Sequence, residues 1–593
     1  MFQSLCVTSF AFERSTEDKA VSSGMAYKDI QTTIEKYVEE HSKTMAGMSV
    51  AIYDENNTIY RNDFGYANKE KNCKVGKQTV FEWGSTSKLF IWVSAMQLVE
   101  QEKLKLNKDI RNYLPDDFLT NLTYDKKITM LDLMNHQAGF QEMYAGVQTS
   151  NENEVQHLEE TLSAHQPKQI YEPGTVTAYS NWGAALAAYI IQRVSGMDYA
   201  EYVRYNILQP LGMKHTAVSA TLQDNLWVKK QREKLGCYDI DGNKIAGKGM
   251  YYITLYPAGS ATGTIDDLLL FACAITPNSK RKCPLFKNQK TLRLMYTATS
   301  YYGNSEVPNN YHGFFASQYG VETLGHGGNT FGCSTMLQFD PQSGIGMVVM
   351  TNQAHEQTYN YKMYEFIFGK FADSELAQRK REVPKGLVVS ARTVEKGPFS
   401  VFGSLGLLSY SEEDLNSWWY QEGKCIYGGY GDYFIATEKL ILNLVSILFF
   451  ALAGIYGVIT IIGGGLICLP IQKAMKKKKG IAIIDDPFRK WNYVTSGIIA
   501  AIFIDFLVMI MRLGKGIITG EIGTITSYVM QSRAIAIMSI LLIVCLVLGF
   551  VHWIKKSIDT TKTGKIKYCI TVFMAICMLV NIVIFDMYQF WAI

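Results

Sequence analysis

Ser85-Thr86-Ser87-Lys88 opens a stretch in which Leu89, Val93, Met96 and Val99 recur at helical spacing. A helix over 86–103 therefore starts at the tetrad and puts Ser85 and Lys88 one turn apart on a shared face. A serine hydroxyl is a weak nucleophile until a base takes its proton. A partly desolvated lysine is such a base where its surroundings favour the neutral amine, and a helix start aims backbone N–H groups at developing negative charge. The four letters alone decide little, because Ser279-Lys280-Arg281-Lys282 repeats the spacing in a polar loop. A capped helix with a surface lysine would also satisfy them.

Working outward, residues 27–40 predict a helix, and 48–53 with 58–60 predict a hairpin around the turn 54–57. Helical patterns fill much of 129–275. Strands at 332–339 and 344–351 flank Asp340-Pro341-Gln342-Ser343, and a helix over 357–372 follows. Early strands, a helical insertion, late strands and a closing helix imply an α/β (α+β) domain with an antiparallel sheet flanked by helices. Tyr179-Ser180-Asn181 follows Glu172-Pro173-Gly174 and opens a helix; Tyr-x-Asn matches at Tyr60 and Tyr66 lie in the early hairpin. A half-buried core tyrosine is the bland alternative for Tyr179. His136 reads as structural.

The composition changes near residue 435. Beyond it, apolar segments at 440–469, 492–512, 534–554 and 567–590 each approach the ~20 residues a spanning helix needs. Lys473, Lys476, Lys477, Lys478, Lys479, Arg489 and Lys490 follow the first segment, and Lys555, Lys556, Lys562, Lys565 and Lys567 follow the third. Both loops are expected in the cytoplasm. Four spans then place the globular part and the C-terminus outside the cytoplasm, with a lipid bilayer as partner. The net charge of +4 comes with lysines between apolar runs, which orients a membrane protein and gives no reason to expect nucleic acid. Asp505 falls inside the second span, where a carboxylate is costly; helix packing with Arg512 or Asn581 competes with a pathway role.

Eleven cysteines occur without a CxxC pair or a paired spacing near histidine, so no metal site is expected. Cys273 and Cys283 read as ordinary thiols, with pairing as the alternative. The start, Ser4 to Phe12, has the flavour of a signal-peptide end without its basic region. The expected organisation is an N-terminal segment 1–26, a catalytic domain 27–375, a connector or small accessory element 376–437 and a four-helix transmembrane domain 438–593.

With these motifs in order, Ser85-Thr86-Ser87-Lys88, Tyr179-Ser180-Asn181 and His326-Gly327-Gly328, the chain resembles the serine β-lactamase-related superfamily. The resemblance is to its class C β-lactamase and D-Ala-D-Ala carboxypeptidase branch, peptidase family S12. Framework stretches add to it: residues 128–136 with Gly139, Pro210-Leu211-Gly212-Met213, Pro257-Ala258-Gly259 with Asp267, and Val348-Val349-Met350-Thr351-Asn352. It covers about residues 27–375 and implies a β-lactamase/transpeptidase-like fold and no cofactor.

It also implies roles. Ser85 attacks a carbonyl, Lys88 and Tyr179 share the proton shuttle, and Asn181 bonds the substrate or holds Lys88. The backbone N–H groups of Ser85 and Asn329 form the oxyanion hole. His326-Gly327-Gly328 stands where many relatives carry Lys-Thr-Gly, so a permanent cation is replaced by a histidine charged part of the time near neutral pH. A structural histidine is the alternative there. The glycines suit a strand that a substrate backbone approaches closely.

The expected activity is a membrane-anchored extracytoplasmic serine hydrolase acting on a small-molecule or peptide substrate. A peptidase on D-residue-containing peptides, either cell-wall stem peptides or an acylated prodrug precursor, ranks ahead of an esterase and a β-lactamase. Membrane-tethered prodrug-activating peptidases look similar in architecture. A catalytically silent sensor signalling through the helices, and a transporter with a processing domain, are the readings from other classes.

Overall fold

The early hairpin and the late strands, far apart in sequence, meet in one sheet. The computed structural model describes residues 19–142 (Asn56 apart), 148–149, 151–245, 251–277, 282–370, 372, 388–392, 419–435 (Lys424 apart), 438–480, 488–519, 526–556 and 561–590. Most of the N-terminal segment, Ser279 to Arg281 and the basic run 379–381 lie outside them. Chain contacts divide the protein into two interleaved units. One comprises Met1–Leu104, Val194–Ile245 and Pro257–Arg381; the other comprises Lys105–Arg193, Ala246–Tyr256 and Glu382–Ile593.

The first unit holds a nine-stranded antiparallel sheet. Its strands are β1 (Gly47–Tyr53), β2 (Thr58–Asn68), β3 (Cys73–Lys74), β4 (Ser300–Tyr301), β5 (Pro308–Tyr311), β6 (Phe314–Gln318), β7 (Glu322–Asn329), β8 (Ser334–Phe339) and β9 (Gly346–Thr351). The order is β3-β2-β1-β9-β8-β7-β6-β5-β4. Register is set at the centre, where Val50 faces both Asn62 of β2 and Val349 of β9. Strands β1, β8 and β9 are buried at every position, so their β-branched and methionine side chains meet neighbours on both faces.

Helix α1 (Tyr27–Glu40) matches its sequence pattern, burying Ile30, Ile34 and Val38 on one stripe. Helix α2 (Lys88–Glu100) is buried from Lys88 to Leu98, as a helix through a core must be. The closing helix is shorter than the periodicity suggests: among the described residues up to Lys370, only Lys362–Tyr364, as a 3-10 turn, and Glu365–Phe368 are helical. The carboxylate of Glu356 accepts N–H bonds from Tyr359 (2.9 Å) and Asn360 (3.0 Å), holding that segment as a turn. Gly369, at φ +85°, ends the helix.

In the second unit, α3 (Asn181–Ser195) carries the Tyr-x-Asn motif at its start. Described residues of the expected connector form a four-stranded antiparallel sheet of β10 (Val388–Ser390), β11 (Trp419–Glu422), β12 (Cys425–Gly428) and β13 (Asp432–Ile435), ordered β10-β13-β12-β11.

Four helices in the second unit are long and apolar enough to cross a membrane: Ile441–Lys478, Arg489–Lys515, Tyr528–Lys555 and Lys562–Ile584. The first outruns its apolar segment because the lysine stretch, made of good helix formers, stays helical. Phe450, Ala453, Ile502, Phe506, Met509, Leu542 and Met578 lie in the core they share. At Gly457 an added Cβ would come within 2.9 Å of the Ala500 nitrogen, so the glycine lets two helix backbones approach. Large apolar side chains such as Leu466, Ile537 and Phe550 face outward, as lipid contact allows. Asp505 finds its neighbour on another helix: Gln531 Nε2 donates to its backbone carbonyl (3.3 Å) and Gln531 Oε1 accepts from Arg512 (2.5 Å). Asn581 instead donates to Cys577 O of its own helix (2.8 Å).

Candidate active site

Ser85 lies in a 3-10 turn, Gly84–Ser87, that runs directly into α2. Gly84 has φ +52°, a conformation side chains rarely adopt, and an added Cβ there would sit 2.7 Å from the Asn329 nitrogen. Ser87 Oγ donates to Gly84 O (2.6 Å) and accepts the Ala261 N–H (3.1 Å), which laces the turn to the segment after Pro257-Ala258-Gly259. Lys88 Nζ donates to Ser85 Oγ (2.9 Å) and to Ala258 O (2.6 Å). The lysine is fully buried while Ser85 keeps partial exposure. The amine is thus fixed at the distance across which a hydroxyl proton transfers.

The His326-Gly327-Gly328 segment ends β7 beside this turn. Pairing with β8 runs through Asn329, opposite Ser334, whereas the described pairing with β6 stops at Gly325. The strand is therefore interior to the sheet for its first half and projects past β6 for its second. Gly328 makes the approach possible, because a Cβ there would meet the backbone nitrogens of Ser85 (2.8 Å) and Thr86 (2.9 Å). Asn329 is exposed, its side-chain oxygen accepting from Ser334 Oγ (2.6 Å).

His326 is not the part-time cation that the sequence suggests. It is 1% exposed, and burial together with the nearby Lys88 pushes its pKa down to about 3. The Gly327 carbonyl can only accept, so the 2.6 Å contact places a proton on Nδ1 of the neutral ring.

Tyr179 and Asn181 belong to the second unit. Tyr179 is 7% exposed and its ring stacks on His136, with centroids 4.2 Å apart. His136 Nδ1 accepts the Ser180 N–H (3.1 Å), and Ser180 Oγ accepts the Gly183 N–H (2.9 Å), capping α3. His136 is structural in the sense that it orients the tyrosine segment. Sequence reading missed Ala258, which acts through a carbonyl, and Arg392, whose guanidinium lies 5.0 Å from the Tyr179 ring centre. The only sequence signal for Ala258 was its place in the Pro-Ala-Gly stretch.

Residues 30–369 match the beta-lactamase family, a family of serine hydrolases, and the chain belongs to it. It is similar to Protein flp of Staphylococcus aureus (strain N315), at 22% identity over 356 residues, covering 57% of this chain and 68% of that protein. It is also similar to a beta-lactamase of Pseudomonas fluorescens, at 30% identity over 194 residues, covering 32% of this chain and 51% of that protein. Among solved structures, the D-amino acid amidase from Ochrobactrum anthropi SV3 matches with a TM-score of 0.46 and 23% identity, over 57% of this chain and 97% of that one.

Proposed function

We propose that the chain is a membrane-anchored, extracytoplasmic serine hydrolase that cleaves an amide or ester through a Ser85 acyl-enzyme, with D-residue-containing peptides as its substrate class. The observation that carries this is the fully buried Lys88 amine 2.9 Å from the Ser85 hydroxyl oxygen. Ser85 Oγ attacks the substrate carbonyl, and its proton passes to the Lys88 and Tyr179 pair. The tetrahedral oxyanion is held by the backbone N–H groups of Ser85 and Asn329. The pair then protonates the leaving amine or alkoxide, leaving an ester on Ser85. Water attacks that ester, giving its proton to the pair, and Ser85 recovers a proton as the acid departs. Asn181 bonds the substrate or steadies Lys88. The end of β7, projecting past β6 beside the Ser85 turn, suits an extended peptide lying along it.

Support for the D-peptide class comes from the ordered motifs and from membership of the family. Support for the orientation comes from the basic residues after the first and third spans, which favour the cytoplasmic side. The test is to label membranes with a fluorescent penicillin and a fluorophosphonate and to map the modified residue. Labelling is expected on Ser85 and lost in Ser85→Ala. If neither probe labels the wild type, the catalytic reading fails in favour of a silent sensor.

A further inference from the structure

The sheet of β10 to β13 shares a compact unit with Tyr179 and is bonded to the segment that carries it. Asp432 N donates to Thr177 O (2.8 Å), and Thr177 N donates to the Asp432 carboxylate (2.8 Å). Ala178 and Gly431 form an antiparallel bridge between these contacts, and Tyr179 is the next residue. On the neighbouring strand, Ala391 N donates to Asp432 O (2.8 Å). Arg392 follows immediately, with its guanidinium carbon 5.0 Å from the centre of the Tyr179 ring. Its Nε donates to Glu142 at 2.5 Å, a carboxylate only 1% exposed.

We propose that Arg392 is a positioning residue for the reaction, contributed by the sheet that precedes the membrane helices: anchored by Glu142, it fixes the Tyr179 ring and presents positive charge to its face as the phenol releases its proton. The inference rests on the reading of Tyr179 as a proton carrier. A guanidinium is suited to both halves of this task. Its planar fork is held in one orientation by a carboxylate, and its charge attracts the electron-rich ring face more strongly as that ring becomes anionic. A contact serving only to pack the ring would not need a cation whose carboxylate partner is buried.

The titratable and charged groups around the ring include His136, Tyr430, Arg392 and, through Arg392, Glu142, with Asp432 bonded to the backbone two residues away. Burial pushes Asp432 up to about 7, so it titrates within the same window. The effect of Arg392 is therefore read as a difference between variants that all keep Asp432.

The experiment uses full-length protein in lipid nanodiscs and follows covalent modification of Ser85 from pH 5 to 10 by whichever of the two probes labels it. Arg392→Met is expected to move the midpoint of the rise in rate upward by about half a unit to one unit, slowing labelling at pH 7 up to about tenfold. Arg392→Lys should restore the midpoint, and Glu142→Gln should move it in the same direction as Arg392→Met. Tyr179→Phe should abolish the rise. If Arg392→Met keeps the wild-type midpoint while Tyr179→Phe loses the rise, the inference falls and the mechanism stands. If Tyr179→Phe labels like wild type, both fall. Should Arg392→Met not fold, as judged by thermal unfolding, the Glu142→Gln midpoint decides: an unchanged value overturns the inference.

Discussion

Ser85 and Lys88 were legible because their spacing is itself geometry: three positions along a helix start place two side chains together whatever the rest of the chain does. His326 was legible as a location but not as a charge state, since burial and the proximity of Lys88 are properties of the folded sheet. A histidine held at about 3 is neutral throughout the physiological range. The ratio of wild-type to His326→Asn activity is therefore expected to stay constant from pH 5 to 8, as measured by kcat/KM profiles. A bend near pH 6.5 would show that the ring titrates in that range. The sign for stability follows from the same depression. Protonation favours the unfolded chain, so the histidine's contribution is intact above about 6.5 and is lost as pH falls towards 3. Arg392 left no signal beside Tyr179 in the sequence, because a long chain separation hides a contact that only the sheet creates.

Among elements, the hairpin β1–β2 and the pair β8–β9 were readable from their apolar character and the turns between them. The strands β4 to β6 were not, and β7 was legible only through its His326-Gly327-Gly328 segment. β5 reads Pro308-Asn309-Asn310-Tyr311, which looks like a loop, and its two asparagines are buried only because the sheet encloses them. The closing helix was over-read because periodicity cannot register a glutamate that turns the backbone at Glu356. The end of β7 carries the sharpest element-level consequence. A side chain at Gly328 would drive into Trp83 O and the Ser85 nitrogen, so the strand and the Gly84–Ser87 turn would have to part. Gly328→Ala is expected to lower probe acylation of Ser85 on the order of a hundredfold, the effect of misplacing reacting groups by about 1 Å. Circular dichroism should meanwhile remain native. Acylation at the wild-type rate would mean that the turn does not depend on this approach.

For the whole molecule, four apolar segments were visible as composition, and their helices emerge longer at the lysine clusters than hydropathy alone defines. Single cysteines introduced at residues 475 and 563 of a cysteine-free variant are expected to resist a membrane-impermeant maleimide added to intact cells. One at the exposed Asn329 should react. Labelling at 475 without labelling at 329 would invert the orientation. Finally, Ile435 ends β13 and Glu438 begins the first apolar helix, so only two residues intervene. Such a link reaches at most roughly 10 Å. With that helix across a bilayer, the strand bonded to the Tyr179 segment would be tethered within about that distance of the helix end, at the level of the lipid headgroups.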